Sequence, residues 1–247
     1  MAAATAVDVY WRREDAQPPA GPALIVVIDV LRATSTITTA LAAGAASVMA
    51  VDGPAEALLL RASDPARLLA GERAAHPLPG FDFGNSPAAM LTPAVSGRQV
   101  VLATTNGSRA LAWAARQAED VLALSLLNVS AVAAAVVAAA PEALYILCAG
   151  TEGRFSLDDA YVAGALLDAL EAVGQAGTEW TDAARAALWT YRGAPERPFA
   201  ALAATGPGRS LIGKGYRADV EFCAQRDAFA VVPRLRAGVL VAERPPG

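Results

Sequence analysis

Acids, arginines and hydroxyl groups follow a short apolar run near the start of this chain. The run covers Leu24–Ile28, and the polar residues after it are Asp29, Arg32, Thr34, Ser35 and Thr36. An aspartate there suits a metal ion, and the first amide N–H groups of a following helix attract anions. A turn acid and a plain hydroxyl cap would give the same pattern. The segment therefore predicts either an anion site beside a metal site or simply a capped helix.

Two later loops have a similar composition. Their polar and glycine residues are Thr105, Asn106, Gly107 and Arg109 in the first loop, and Gly150, Arg154, Ser156, Asp158 and Asp159 in the second. Carboxyl ends of parallel strands meet at one edge of a sheet, where open α/β folds bind ligands. Arginine forks and helix N-termini both bind phosphate, sulfonate or carboxylate groups. We therefore expect Asp29, Arg32 and Arg109 to be catalytic. We expect the hydroxyl and glycine residues of the three loops, with Asn106 and Arg154, to bind the substrate anion.

The acids near these loops resemble a magnesium-binding set, because Mg²⁺ takes a few carboxylates together with waters and phosphate oxygens. The candidate ligands are Asp29, Glu72, Asp158 and Asp159, with Asp82 as a further acid. Asp158 and Asp159 have an alternative role: with Ser156 as N-cap, acids in a first helical turn favour the helix dipole.

Cys148 and Arg154 support a different mechanism. Their C-x5-R spacing is that of tyrosine-phosphatase-like enzymes, in which a thiolate attacks phosphorus and the arginine holds its oxygens. Cys148 lies between Leu147 and Ala149, however, where a free cysteine commonly packs as a small apolar residue. The thiolate is therefore the minority alternative.

Apolar runs and helical segments alternate along the chain, which predicts a largely parallel sheet covered by helices on both faces. The expected strands are Leu24–Ile28, Ser47–Val51, Val100–Ala103, Val121–Ser125, Leu144–Cys148 and Phe229–Val232. The expected helices are Thr36–Ala43, Pro54–Ser63, Ser108–Gln117, Ser130–Ala139, Leu157–Val173 and Thr181–Tyr191.

Two segments rich in proline and glycine, Gly71–Pro93 and Gly193–Gly215, interrupt the alternation and predict loops. The second could be a linker or an active-site flap. We expect one domain over 1–247, with a possible C-terminal subregion at 175–247.

Composition excludes several classes of protein. The net charge of −4 and the lack of a basic excess argue against a nucleic-acid binder, and His76, the only histidine, cannot supply a histidine-rich metal cluster. We find no apolar stretch of membrane-spanning length and no signal peptide, and the two cysteines give no disulfide framework. We expect a cytoplasmic protein that binds neither nucleic acid nor membrane.

Taken together, six motifs resemble those of the 2-phosphosulfolactate phosphatase family. They are VVIDVLRATSTITTAL, GFDFGNSP, TTNGSRAL, SLLNVSAVA, LCAGTEGRFSLDDAYVAGAL and DVEFCAQRD, in the same order from Val26 to Asp227. The resemblance implies a three-layer α/β/α fold and Mg²⁺-dependent hydrolysis of (R)-2-phospho-3-sulfolactate to 3-sulfolactate and phosphate. It also implies a homo-oligomer, with a dimer as the expected form. Ala103 stands where related sequences often carry a hydroxyl residue, a small departure.

The chain lacks the D-x-D pair of haloacid-dehalogenase phosphatases, which favours direct attack by water over an aspartyl-phosphate. A non-catalytic protein that only binds small phosphorylated or sulfonated acids is the alternative to an enzyme. The sequence does not identify the metabolic pathway in which the protein acts.

Overall fold

A computed structural model describes residues 6–174 and 179–243. The strands are β1 (Ala6–Tyr10), β2 (Leu24–Ile28), β3 (Ser47–Val51), β4 (Leu68–Arg73), β5 (His76–Pro77), β6 (Gln99–Ala103), β7 (Asp120–Leu124), β8 (Ala143–Cys148), β9 (Glu179–Trp180), β10 (Val232–Arg236) and β11 (Val239–Glu243). The helices are α1 (Ala33–Ala42), α2 (Pro54–Ser63), α3 (Gly107–Gln117), α4 (Val129–Ala139), α5 (Leu157–Ala172), α6 (Asp182–Arg192), α7 (Pro198–Ala203), α8 (Gly206–Gly213) and α9 (Arg217–Cys223).

The strands form one mixed sheet in the order β5-β4-β6-β3-β11-β10-β7-β2-β8-β1-β9. The group β4-β6-β3 and the group β7-β2-β8-β1-β9 are each parallel. The hairpin of β10 and β11 joins the two groups through antiparallel pairs, Arg234 with Leu122 and Leu240 with Val48. The expected sheet is therefore confirmed as mostly parallel, with an antiparallel insertion at its centre.

Side chains of the buried strand β2 alternate between two hydrophobic cores, as strand geometry requires. Val26 and Ile28 belong to the core that contains buried residues of α4, α5 and α6, whereas Ile25 and Val27 belong to the core with α1 and α3. Helices thus cover both faces of the sheet, which gives the three-layer α/β/α arrangement.

Most predicted elements are confirmed to within a few residues, but two predicted bounds are wrong. Helix α1 begins at Ala33, three residues before the predicted Thr36. The last predicted strand, Phe229–Val232, lies too early, because Val232–Arg236 pairs with β11 across a turn in which Ala237 and Gly238 both have positive φ.

The two predicted loop segments contain regular structure. Gly71–Pro93 begins within β4 and holds β5 and a short 3-10 turn at Pro87–Met90. Gly193–Gly215 is mostly the helices α7 and α8. The suggested subregion 175–247 begins in residues 175–178, which lie outside the described part of the chain. Most buried apolar residues between 179 and 243 share the core of α4 and α5, whereas Val231 and Leu240 belong to the core with α1 and α3.

Candidate functional site

A cavity of about 700 Å³ lies where several strands end. Its walls include Asp29 after β2, Asp52 after β3, Thr104–Asn106 after β6 and Thr151–Arg154 after β8. Residues of the 72–85 segment and of α8 form the remaining wall. The lining is highly charged, with the basic residues Arg32, Arg73, Arg109, Arg154 and Lys214 and the acids Asp29, Asp52, Glu72 and Glu152. The segment Gly193–Gly215 therefore borders the cavity through α8.

Asp29 accepts hydrogen bonds from backbone N–H groups at the start of two helices, α1 and α3. Its carboxylate accepts hydrogen bonds from the N–H of Ala33, at 3.2 Å, and from the N–H of Gly107, and its carbonyl oxygen accepts one from the N–H of Thr34 at 2.9 Å. Burial, together with the charges of Asp158 and Glu72, raises the pKa of Asp29 to about 7, although the two amide hydrogen bonds act in the opposite direction. The carboxylate thus occupies the position at the start of α1 where an external anion was expected.

The hydroxyls of Thr34, Ser35 and Thr36 point into the protein. They bond respectively with the N–H of Asp29, the carbonyl of Val30 and the carbonyl of Asn85, and all three residues are fully buried behind the cavity wall. The N-cap residue of α1 is Arg32, whose own side chain makes no capping hydrogen bond. The expected hydroxyl cap is therefore wrong, because the Asp29 carboxylate performs that role.

Asp158 and Asp159 lie buried beside Asp29 at the start of α5. The hydroxyl of Ser156 donates to Asp158 at 2.6 Å, and the N–H groups of Val30 and Gly150 donate to Asp159 at 3.0 and 3.1 Å. Burial raises the pKa of Asp158 to about 6. Burial and the charges of Asp158 and Asp29 raise the pKa of Asp159 well above its usual value. Three buried carboxylates thus repel one another with little compensating charge.

Gly150 and Ser156 support this cluster without lining the cavity. Gly150 has a φ of +70°, and an added Cβ would lie 2.6 Å from the carbonyl oxygen of Arg154. A larger residue would therefore displace the amide that holds Asp159.

Of the two other sequence candidates for metal ligands, only Glu72 reaches the site. Glu72 lines the cavity, and one of its oxygens accepts the N–H of Ala75 at 2.7 Å. Asp82 lies away from the cavity, bonded to Arg61 at 2.6 Å and to the N–H of Leu69. Among the described residues, no three histidine, cysteine, aspartate or glutamate side chains form a ready metal centre.

Arg32 is buried, with 3% of its side chain exposed, and it is paired with Asp219 of α9. The other carboxylate oxygen of Asp219 accepts the hydroxyl of Ser86 at 2.6 Å. The Arg32 guanidinium also donates to the carbonyl of Ala75 at 3.1 Å and stacks on Tyr216, 4.6 Å from the ring centroid. Its position at the cavity wall is therefore fixed from several sides.

Arg109 and Arg154 are the more accessible cations. Arg109 bonds through Nε to Asp52 at 2.7 Å, with about half of its side chain exposed, so its terminal nitrogens stay available. Arg154 is exposed at the cavity and has no side-chain hydrogen bond or ion pair within the described ranges. Both are placed to bind an anion that enters from solvent.

The turn before α3 is tightly built. Thr104 and Ser108 exchange hydrogen bonds of 3.0 to 3.2 Å through their hydroxyls and amides. Thr105 and Asn106 face the cavity, while the N–H of Gly107 is used by Asp29. The predicted anion turn thus lies beside Asp29.

The structure contradicts the thiolate alternative. Cys148 is fully buried and does not line the cavity. Burial, with the nearby charges of Asp159 and Asp158, raises the pKa of its thiol well above the usual value, so it stays protonated. The C-x5-R spacing therefore does not form a phosphatase loop here.

Sequence reasoning missed several polar residues of this site, among them Asp52, Asn85, Asp219, Arg73 and Lys214. Asp219 lies 187 residues from Arg32, and no local pattern links the two. Asn85 and Asp219 fall within the motifs GFDFGNSP and DVEFCAQRD, which were the available signal.

Comparison of the amino-acid sequence with known proteins matches most of the chain to one family. A family model described as 2-phosphosulpholactate phosphatase matches residues 12–238. A probable 2-phosphosulfolactate phosphatase of Deinococcus radiodurans is 43% identical over 217 residues, covering 88% of this chain and 89% of that protein. Proteins with the same name from Thermus thermophilus (43% identical, covering 88% and 90%) and Parasynechococcus marenigrum (39% identical, covering 96% and 100%) are also similar. In the described part of the chain, no helix has the length and apolar character needed to cross a membrane.

Proposed function

The chain belongs to the 2-phosphosulpholactate phosphatase family, and we propose that it is a Mg²⁺-dependent phosphoric monoester hydrolase that converts (R)-2-phospho-3-sulfolactate to 3-sulfolactate and phosphate. The observation that carries this proposal is a cavity in which the buried carboxylate of Asp29 lies beside exposed arginines, while Asp158 and Asp159 interact with Asp29 from outside the cavity lining. A substrate with phosphate, sulfonate and carboxylate groups needs this division between a cation site and several anion-binding groups.

The accessible arginines bind the phosphate in this proposal. Arg109 and Arg154 offer guanidinium forks with free N–H groups, which suit two oxygens of one anion. Thr105 and Asn106 add polar groups at the start of α3, where the helix dipole favours negative charge. These arginines and polar groups would thus stabilise the negative charge that develops on the phosphoryl oxygens during the reaction.

The acid cluster fits a divalent cation. Asp29 and Asp158 are buried with raised pKa values and have no basic side chain bonded to them, so the cluster carries more negative charge than its surroundings balance. Mg²⁺ needs only one or two carboxylates when waters and phosphate oxygens complete its shell, so a three-ligand centre in the chain is not required. We assign Asp29 and Glu72, which both line the cavity, to hold it, with the buried Asp158 and Asp159 beside Asp29 as the further acids of the cluster.

When bound, Mg²⁺ supplies Lewis-acid polarisation of the phosphate oxygens and offsets charge in a metaphosphate-like transition state. Asp29 must lose its proton to take part, and the N–H groups of Ala33 and Gly107 hold its carboxylate toward the cavity. Arg32 supplies a fixed positive charge at the same wall. Water attacks phosphorus directly, without a cysteinyl intermediate.

Phosphate release from synthetic phosphosulfolactate tests the proposal. We expect release with Mg²⁺, loss of release in EDTA, and recovery when Mg²⁺ is restored. Asp29→Asn should lower kcat at least 100-fold, since it removes a proposed ligand. Asp82→Asn is the matched control, because Asp82 is bonded to Arg61 away from the cavity, and it should keep kcat within about threefold.

Two results would overturn this mechanism. Release that is untouched by EDTA would remove the metal from the reaction. Thermal stabilisation by phosphosulfolactate without any turnover, with or without Mg²⁺, would instead make the protein a binder of small anionic acids.

We extend the proposal to a homodimer in the cytoplasm, as the family resemblance implies. Large apolar side chains are exposed on the described surface, including Leu59 of α2 and Trp189 of α6. Light scattering after size-exclusion chromatography should give twice the chain mass of 25.2 kDa. A mass of one chain at micromolar concentration would contradict the dimer.

A further inference from the structure

Asn85 is a buried polar residue whose side chain has no hydrogen-bond partner in the described ranges 6–174 and 179–243. It follows Gly84 in the segment between β5 and the turn at Pro87–Met90, lines the cavity, and is only 5% exposed. Its Oδ1 is fully buried without a hydrogen bond, and its Nδ2 has no partner among the described residues. Buried amides are almost always bonded, so an unpartnered one at a cavity wall points to a ligand.

The backbone on both sides of this amide is held in place. The Thr36 hydroxyl donates to the Asn85 carbonyl at 3.2 Å, and the Ser86 hydroxyl donates to Asp219 at 2.6 Å. The backbone of Asn85 is therefore fixed at the cavity wall, which leaves only its side-chain torsions free to orient the amide.

Asn128 shows what a structural asparagine looks like in this fold. It is equally buried, but its Oδ1 accepts the N–H of Ser125 at 2.9 Å, and its Nδ2 donates to the carbonyls of Ala123 and Val231. All of its side-chain polar atoms have partners within the fold. Asn85 lines the cavity and lacks such partners, which favours a binding role.

The location of Asn85 indicates which part of the substrate it contacts. The reacting phosphate belongs beside Asp29 and the Thr105–Gly107 turn, which the Gly107–Asp29 hydrogen bond brings together. Asn85 and Arg32 both line the cavity, and the next residue, Ser86, donates its hydroxyl to Asp219, the ion-pair partner of Arg32. Because that pair is neutral overall, the amide there offers directional N–H donors next to a balanced charge.

We propose that Asn85 is a specificity-determining residue whose amide binds the anionic group that stays on the product, the sulfonate or carboxylate of the sulfolactate part. This inference rests on the proposed function, since it names a contact within the same substrate. One end of the amide donates N–H to an anionic oxygen, and rotation about χ2 lets either end face the ligand.

Product inhibition separates the two halves of the substrate. Asn85→Ala should raise KM for phosphosulfolactate and Ki for 3-sulfolactate about tenfold, while Ki for inorganic phosphate changes less than twofold. Asn85→Asp should raise Ki for 3-sulfolactate at least 100-fold, because a carboxylate then faces the anion. The melting temperature of Asn85→Ala should not fall, since no protein hydrogen bond is lost.

Other outcomes count against the inference. Equal weakening of 3-sulfolactate and phosphate, no change in either Ki, or a lowered melting temperature with a uniform loss of activity would each overturn it. A wild-type protein that hydrolyses phosphosulfolactate while Asn85→Ala does so equally well would overturn this inference alone. A wild-type protein with no hydrolysis would overturn the proposed function, and the inference with it.

Discussion

Removing Asp219 should destabilise the protein strongly, because it leaves a buried guanidinium without its partner. Only 3% of the Arg32 side chain and 7% of the Asp219 side chain are exposed. Breaking a buried pair from one side costs about 3–5 kcal/mol, since the remaining charge stays out of water without compensation. At roughly 2–4 °C per kcal/mol for a chain of this size, Asp219→Ala should lower the melting temperature by about 6–20 °C.

A double variant distinguishes the charge from the packing. Arg32→Met with Asp219→Leu replaces the pair by apolar side chains of similar size, and buried pairs replaced in this way usually lose little stability. The double variant should therefore be more stable than Asp219→Ala, and the coupling energy from the cycle should exceed about 2 kcal/mol. Its activity should nevertheless stay low, because the fixed positive charge at the cavity wall is gone.

Urea unfolding followed by circular dichroism measures the three free energies. Asp219→Asn is the conservative comparison, because its amide oxygen still accepts the Ser86 hydroxyl while the negative charge is lost. A loss below about 1 kcal/mol in Asp219→Ala, or single effects that simply add in the double variant, would refute the buried-pair reasoning.

Three further predictions concern the acids and their support. In EDTA, Asp158→Asn should leave unfolding free energy unchanged near pH 4 and raise it by about 3 kcal/mol near pH 8. Burial raises the pKa of Asp158 in the folded state from 3.8 to about 6, so the wild type loses stability as this carboxylate ionises. Denaturant unfolding of both proteins at both pH values measures the difference in unfolding free energy. A difference that does not change with pH would contradict the prediction. Gly107→Ala should lower kcat at least tenfold, because the new Cβ lies 2.8 Å from Asp29 Oδ2 and 2.6 Å from the Ala33 Cβ. Gly53→Ala is the control and should keep kcat, because there is open space around Gly53. Equal losses of kcat in the two variants would refute the steric explanation. Cys148→Ser should keep measurable phosphate release, since the thiol stays protonated and buried; complete loss in a folded variant would restore the thiolate mechanism.

The sequence predicts the central elements well, because their signals are local. Leu24–Ile28 is a continuous apolar strand, and Pro54–Ser63 begins with a proline that suits a first helical position. Helix α1 was placed three residues late because hydroxyls looked like the cap. The Asp29 carboxylate bonded to the N–H of Ala33 acts as the cap instead, and a carboxylate four residues upstream is not a usual capping signal.

The candidate site was predicted less completely, since its contacts join distant parts of the chain. The loops with Asp29, Arg109 and Asp158 were recognisable because each follows an apolar strand. Asp219 was not, because its role depends on a contact with Arg32 that only tertiary packing creates. Strand β1 was also missed: Asp8 lies inside it, and a short run with a central acid does not indicate a strand beside β8.

The hairpin of β10 and β11 has a consequence for folding during synthesis. It pairs with β7 and β3, which precede it by more than 100 residues, and it separates the two parallel groups of the sheet. Until these strands leave the ribosome, the inner edges of β3 and β7 have no partner, although both carry buried apolar side chains. Exposed strand edges of this kind template association between chains. A nascent chain of this protein thus depends on chaperones most just before its hairpin is made, and a truncation before Val232 should aggregate rather than fold as a smaller enzyme.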